Sequence, residues 1–579
     1  MRSKRRLGVP GTIGLGIGFA LALSASAPVG QKSRQRPTLV VMISVDQLRA
    51  DLLDRYDKVF TGGFRRLREK GRWFPHATVD HAITVSHPGH ATLATGMHPA
   101  HHGIVDAAFY DGPPGARVFT DALEDTAETI VGVAGRPGVS PRRFLAPTLA
   151  EWMQSAGPTD AAKGAGATGA SAGAGSPAGA SRLVAVGSGR FSSLLHAGRA
   201  RGDVYWYEQA AARYVTSSFY RHDDADWVRT FNTTALPPFL AAAATWDNGT
   251  PEPLRALADP DASAWEADHT HVTFPHRLVD ALPPGRVADA KAQGYWVSST
   301  PMLDGATLAL AEAALGALHL GHGPGVDCLD IVPSQVDDIG HSYGPTSQEQ
   351  LDNLRRLDLS LGHLFDALDR EVGAGRWVMA LSADHGIADI PEARQARGEK
   401  ARRVTEAEMR TVLEKVKTAL AGGASAPSSA ASPDDVSARV ALIAGGADFV
   451  AAAMTPRDLF EGEPKDEFVA LYRHSSRPDR LPRYPLFDFA DGRSIVAESG
   501  VAVRLVEGAM PDLDAAVHGS PYLYDRSVPI VFMGAGVTPG TSDEPAHTID
   551  VAPTLARLAG IPIPSGLDGR PLILPAGGR

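Results

Sequence analysis

The sequence predicts an α/β fold, a central and mostly parallel sheet flanked by helices on both faces. Three observations carry that prediction. Apolar runs at 39–45, 183–186, 329–332, 377–381 and 528–533 are continuous rather than alternating, the pattern of strands buried on both faces. Amphipathic helical patterns lie between several of them, clearest where Leu351, Leu354, Leu357, Leu361, Leu364 and Leu368 share one face. Polar residues suited to chemistry stand near the ends of the runs, among them Asp46, Asp337 and Asp384. In open α/β sheets ligands bind beyond the carboxyl ends of the strands.

Taken in order, the chain opens with Arg2, Lys4, Arg5 and Arg6, then an apolar run from Thr12 to Leu23, then Ala25-Ser26-Ala27. A basic region, a short apolar stretch and a small-residue cleavage pattern make residues 1–27 an expected signal peptide, and the protein periplasmic or secreted. The rival reading is an uncleaved anchor, against which the run is short. Arg5-Arg6 alone does not separate general export from the twin-arginine route. No later segment reads as membrane-spanning, so no membrane span is expected after signal cleavage.

Residues 157–181 are almost all Gly, Ala and Ser, and 421–434 are similar. Such segments bury too little apolar surface to offset their ordering entropy and are expected as low-complexity loops. The interval 203–301, rich in aromatics and poor in long apolar runs, is expected as a cap subdomain inserted between core strands. No internal repeat is present.

Bulk properties set limits on function. The chain has 579 residues, 44% of them apolar, enough for a large core. A net charge of −10 leaves no general basic face, which argues against a nucleic-acid partner. The single cysteine, Cys328, excludes an intrachain disulfide. It sits inside an apolar run, where burial raises a thiol's pKa, so it reads as a strand residue rather than a nucleophile.

The candidate chemistry begins at Asp46, a carboxylate ending a buried strand: a metal ligand, a catalytic acid, or a cap for the next helix. In Thr84-Val85-Ser86-His87-Pro88-Gly89-His90, Pro88 suits the first turn of a helix, placing Ser86 just before it. A hydroxyl there can cap the helix or, facing its positive end, act as a nucleophile toward an anion. Asp337 and His341 stand four apart; Asp384 and His385 are adjacent at a strand end; His518 precedes a further strand. Each alone is a weak signal. Together, three aspartates and three histidines make two mixed nitrogen and oxygen sites of the kind that suits zinc. Two such cations roughly 4 Å apart can clamp the attacking and leaving oxygens of an in-line displacement.

The ordered set Asp46, Ser86, Asp337-x-x-x-His341, Asp384-His385 and His518 resembles the alkaline phosphatase superfamily. Within it, the chain is most similar to the type I phosphodiesterase/nucleotide pyrophosphatase group and the PafA type of bacterial alkaline phosphatase. Pro88-Gly89-His90-Ala91, His102-Gly103-Ile104, Tyr205-Trp206-Tyr207, His341-Ser342-Tyr343-Gly344-Pro345 and Val551-Ala552-Pro553-Thr554-Leu555 match the same pattern. The resemblance makes 37–579 a hydrolase domain with an alkaline phosphatase-like fold. It implies two zinc ions, one held by Asp46, Asp384 and His385 with Ser86 as a further ligand, the other by Asp337, His341 and His518. It implies Ser86 as nucleophile and Arg190 as the residue orienting the phosphoryl group, with small-molecule phosphate esters as substrates.

Two positions depart from the monoesterase pattern. Ala107 stands where those relatives place an Asn, and Ser188-Gly189-Arg190 where they place a Lys-x-Arg pair. A monoester dianion needs more positive charge around its oxygens than a diester monoanion. Phosphomonoesterase is therefore the leading expectation and phosphodiesterase/nucleotide pyrophosphatase the alternative. From another class, the rival is a catalytically weak metal-binding recognition protein. A sulfatase is disfavoured because Ser86-His87-Pro88-Gly89-His90 lacks the arginine of that motif. Nothing in the sequence specifies an oligomeric state.

Overall fold

The computed structural model describes residues 36–156, 181–189, 192–266, 269–422 and 432–574. The expected signal peptide and most of both low-complexity loops lie outside the described residues.

Among the described residues, the central sheet has nine strands: β1 Leu39–Ser44, β2 Arg72–Phe74, β3 Leu183–Gly187, β4 Asp203–Glu208, β5 Arg213–Val215, β6 Asp327–Val332, β7 Trp377–Ser382, β8 Ile530–Gly534 and β9 Gly540–Thr541. Their order is β9-β2-β8-β7-β1-β6-β3-β4-β5. The five central strands, β7 through β4, are parallel, with Val41 of β1 opposite Leu329 on one side and Met379 on the other. Outside them the sheet is mixed, because β8 runs antiparallel to β7 and β5 antiparallel to β4.

Every residue of β1 is buried, which is why its sequence does not alternate. Leu39, Val41 and Ile43 enter one apolar cluster and Val40 and Met42 the other, one on each side of the sheet. The first side is covered by α2 (Met302–Leu318) and α4 (Gln348–Leu368), and all six leucines of the 351–368 stripe are buried there. The second side is covered by α1 (Ser86–Thr95) and α5 (Val551–Ala559). Between α2 and α4 in the chain, α3 (Gln335–Tyr343) follows β6 directly.

The interval 203–301 opens with two strands of the central sheet, β4 and β5; only the chain after Val215 leaves it. From there Phe231, Leu236 and Trp296 pack onto the α2 side. A further cluster, built on Val404, Leu413, Val416, Val440, Val503 and Leu505, gives 404–509 a small core of its own. The sequence does not announce this insertion, because its strands are short and its helices resemble those of the main core. Both edges of the 421–434 segment are helical, closing Glu406–Gly422 and opening Pro433–Gly445, the latter with a capping box on Ser432. Cys328 is buried in β6. Among the described residues no single helix is long and apolar enough to cross a membrane.

Candidate functional site

The parallel strands deliver their following residues to one edge of the sheet. Asp46 lies just past β1, Ser188 past β3, Asp337 in the first turn of α3 past β6, and Asp384-His385 past β7. His518 arrives differently. Because β8 is antiparallel, the residues that precede it reach the edge that the parallel strands leave. Two close approaches tighten the cluster. A Cβ on Gly89 would stand 2.5 Å from the Asp384 carbonyl oxygen, and one on Gly340 would overlap the Gln47 side chain. Glycine is therefore required at both places for α1 and α3 to close on the site. Gln47, at φ 65, turns the chain so that its amide N–H donates to Asp384 Oδ1 and its side-chain amide to Asp337 Oδ1.

All seven expected ligands, Ser86 included, form two adjoining groups. In the first, His385 Nε2 is 3.5 Å from Asp46 Oδ1, 3.3 Å from Asp384 Oδ2 and 3.2 Å from Ser86 Oγ. In the second, Asp337 Oδ1 is 3.4 Å from both His341 Nε2 and His518 Nε2, and the two nitrogens are 3.1 Å apart. Each imidazole is oriented by a main-chain carbonyl, which can only accept. Nδ1–H of His341 donates to Ala516 at 2.8 Å, that of His385 to Gly386 at 3.0 Å, and that of His518 to Thr84 at 2.8 Å. All three rings thus present Nε2 inward, the arrangement that prepares histidines as metal ligands.

Charge in the site is unbalanced by the chain alone. Burial and the nearby charge of Asp337 push the Asp46 carboxyl up to about 7, and burial with Asp46 beside it drives Asp384 upward as well. Burial pulls His341 down, but the charge and hydrogen bond of Asp337 outweigh it and lift the imidazole to about 10. Asp46 Oδ1 and Asp384 Oδ2 are buried without a hydrogen-bond partner. Orphaned, crowded carboxylate oxygens facing imidazole nitrogens fit a site that takes metal cations.

Ser86 is the first residue of α1 rather than the one before it. Val85 occupies the cap position, and no side chain caps the helix. Asp46 does not cap the helix Ala50–Arg55 either, whose cap position is Arg49. Both alternatives weighed from sequence are unused, and both side chains face a cleft of about 460 Å³. Asp337, His90, Ser188 and Arg136 line it too.

Arg190 lies outside the described residues. Ser188 is not a substrate-facing cation but part of an anchor. Its hydroxyl donates to Asp304 Oδ1 at 2.7 Å and accepts the Ser334 N–H at 2.7 Å, fixing the start of α3. Two site residues escaped the sequence reading. His90 is fully buried, with Nε2 3.6 Å from Asp46 Oδ2 and 3.4 Å from Asp384 Oδ2, and burial lowers it to about 3. Its place in Pro88-Gly89-His90-Ala91 was its only signal. Arg136, held 2.8 Å from Glu208 Oε1, comes from a glycine-bearing loop with no motif to mark it.

This fold and this site define a metal-binding phosphoric ester hydrolase of the alkaline phosphatase superfamily. Residues 40–483 match the Type I phosphodiesterase / nucleotide pyrophosphatase family, and the chain belongs to it. Among curated relatives, the alkaline phosphatase PafA of Elizabethkingia meningoseptica is 28% identical, covering 93% of this chain and 94% of that one. The alkaline phosphatase PhoV of Synechococcus elongatus is 26% identical over 92% of each. The crystal structure of wild-type PafA superposes with a TM-score of 0.77 at 25% identity, covering 93% of this chain and 98% of that one. His518 lies beyond the family match and joins the site only through the fold.

Proposed function

We propose that the protein is a phosphomonoesterase that uses two zinc ions and a phosphoseryl intermediate on Ser86, acting in the periplasm or outside the cell. One observation carries the reading: Ser86 Oγ stands 3.2 Å from His385 Nε2, where the clustered ligand atoms of Asp46, His90 and Asp384 meet those of Asp337, His385 and His518. Carboxylate with imidazole is a donor set for zinc. Bound there, the ions supply Lewis acidity and lower the pKa of the serine hydroxyl.

The chain's own residues do the rest. Gln47 and the three main-chain carbonyls hold the ligand atoms in place. Ser86, at the amino end of α1, meets an anionic phosphoryl group at the positive end of the helix dipole. Its oxygen attacks phosphorus, the ester oxygen leaves, and water then cleaves the phosphoserine. Arg190 orients the phosphoryl oxygens, and Arg136 adds positive charge on the cleft wall.

The names of the full-length relatives support monoesters. Ala107 and Ser188 favour a second reading, phosphodiesterase, since each replaces a donor to the phosphoryl group. The deciding experiment measures kcat/KM on an aryl phosphate monoester and its matching diester in zinc. Faster diester turnover transfers the assignment to the second reading, and no turnover on either assigns the chain to metal-dependent recognition. The export proposal rests on the basic, apolar and small-residue order of residues 1–27, and fractionation of the expressed full chain tests it.

A further inference from the structure

A second group of histidines and carboxylates lies at the other end of α1. The helix stops at Gly96, which adopts φ 64, and the chain turns through His98 into the short helix Pro99–His102. The C-terminal segment is laid against this turn. The Gly569 N–H donates to the Gly96 carbonyl at 3.0 Å, and the His98 N–H to Asp568 Oδ2 at 2.8 Å.

The side chains repeat the logic of the catalytic cleft. His98 Nε2 is 3.0 Å from Asp80 Oδ2, and a carboxylate can only accept, so that nitrogen carries a proton. The ring is fixed on its face by His474, stacked at 3.8 Å and 10°, whose own Nδ1–H donates to the Asp80 carbonyl at 2.8 Å. His98 Nδ1 is then left pointing at Asp568 Oδ2, 3.4 Å away. On the same carboxylate, His101 Nδ1 stands 2.9 Å from Oδ1 and 2.8 Å from Oδ2, a hydrogen bond that an incoming cation must displace along with its proton. A lone pair aimed at a carboxylate oxygen is unfavourable unless something positive lies between them. Zinc bonds of 2.0–2.2 Å in a tetrahedron put neighbouring ligand atoms about 3.3 Å apart, close to the His98–Asp568 spacing. A histidine whose other nitrogen donates to a carboxylate, here His98 to Asp80, is how proteins orient a metal-bound imidazole. The guanidinium of Arg477, whose charge acts on His101, is committed to the Ala100 carbonyl and to Asp479.

We propose that His98 Nδ1, His101 Nδ1 and the Asp568 carboxylate form a third metal site, for a zinc-class divalent transition ion, with Asp80 and His474 positioning His98. His101 is 55% exposed, so water completes the coordination. None of these five residues lines the cleft that contains Ser86. The role of the site is structural: it pins the chain around Asp568 to the end of the helix that carries Ser86.

The test uses the full chain, stripped with chelator, reloaded with zinc and dialysed, with metal per chain measured by mass spectrometry. His101→Ala removes a half-exposed ring, and Asp568→Asn keeps the shape of its side chain. Each is expected to hold one zinc fewer than wild type with turnover unchanged. Because the readout is a difference between proteins, it does not depend on how many ions the catalytic cleft takes. Asp80→Asn is expected to keep the site but weaken it ~10–100-fold in a cobalt(II) titration followed by its visible absorption. Equal metal content in wild type and both variants would overturn the proposal and make His98 a doubly protonated bridge between Asp80 and Asp568.

Discussion

The imidazoles of His385 and His518 stack with centroids 3.7 Å apart and planes 18° apart. One follows β7 and the other precedes the antiparallel β8, so two neighbouring strands, one leaving and one arriving, place them side by side. His385 Nε2 lies near Asp46, Asp384 and Ser86 and also clusters with Asp337 and His518, while His518 Nε2 lies near Asp337 and His341. The stacked pair is therefore the seam where the two groups meet, and each ring limits the rotation of the other.

That shared seam predicts coupling between the two groups. Removing zinc with a chelator should abolish phosphate-ester hydrolysis, and adding it back should restore activity. His518→Ala should lose one zinc per chain and at least about a hundredfold in kcat, a loss of some 2.7 kcal/mol or more. With the stacking partner gone, the remaining zinc should also exchange faster. Elemental analysis with turnover checks the first two effects, and isotope exchange the third. Full metal content in the variant would place His518 outside the ligand set.

Ser86→Ala should abolish turnover and leave the fold intact. The Ser86 hydroxyl caps nothing in α1, so its loss costs less than the ~1 kcal/mol of a missing cap. Ser86→Thr should retain measurable activity. Circular dichroism melts and phosphate release give the two readouts, and wild-type turnover in the alanine variant would remove the covalent step.

Asp330 predicts a pH dependence outside the cleft. It is buried in β6 with both oxygens 3.7 Å from Cys328 Sγ, and burial pushes its carboxyl up to about 7. The unfolded chain releases this proton near pH 3.9. Between about pH 4 and 7 the folded state therefore holds a proton the unfolded state has lost, and stability falls as pH rises through that window. Asp330→Asn cannot ionise. Its Tm relative to wild type should climb across the same window and level off above it, by an amount worth on the order of 2–4 kcal/mol. A Tm difference independent of pH would show that Asp330 is not protonated in the fold.

How much of this was legible follows from what leaves a local trace. The buried strands β1, β6 and β7 show as continuous apolar runs, and Asp46, Asp337, Asp384 and His385 follow them in the chain, so their gathering at one edge of the sheet could be anticipated. Strands β2 and β9 are too short to make a run. The antiparallel sense of β8 is a tertiary fact, and so is the way it aims His518. The insertion around Val404–Ala509 has helices and strands that resemble those of the main core, so nothing local separates it. Arg136 carries no signal at all: a cation in a loop reads as solvated surface until the fold turns it into the cleft.

Substrate charge is the most exposed prediction, because the structure changes its terms. Restoring the missing lysine at position 188 would set its ammonium against Asp304 and remove the hydroxyl that accepts the Ser334 N–H. Ser188→Lys, alone or with Ala107→Asn, should thus lower both monoester and diester rates by disturbing the start of α3, which carries Asp337. The cation to test is Arg136, which reaches the cleft wall with its guanidinium on Glu208. A dianionic monoester draws more on a nearby positive charge than a monoanionic diester, and a charge-assisted hydrogen bond is worth about 1.5–3 kcal/mol. Arg136→Ala should therefore cut kcat/KM for the monoester about tenfold more than for the diester, with Arg136→Lys in between. Arg190→Ala should shift the ratio the same way. Equal losses on both substrates in Arg136→Ala would mean that this arginine shapes the cleft through Glu208 without meeting the phosphoryl group, leaving Arg190 as the side-chain cation that discriminates between them.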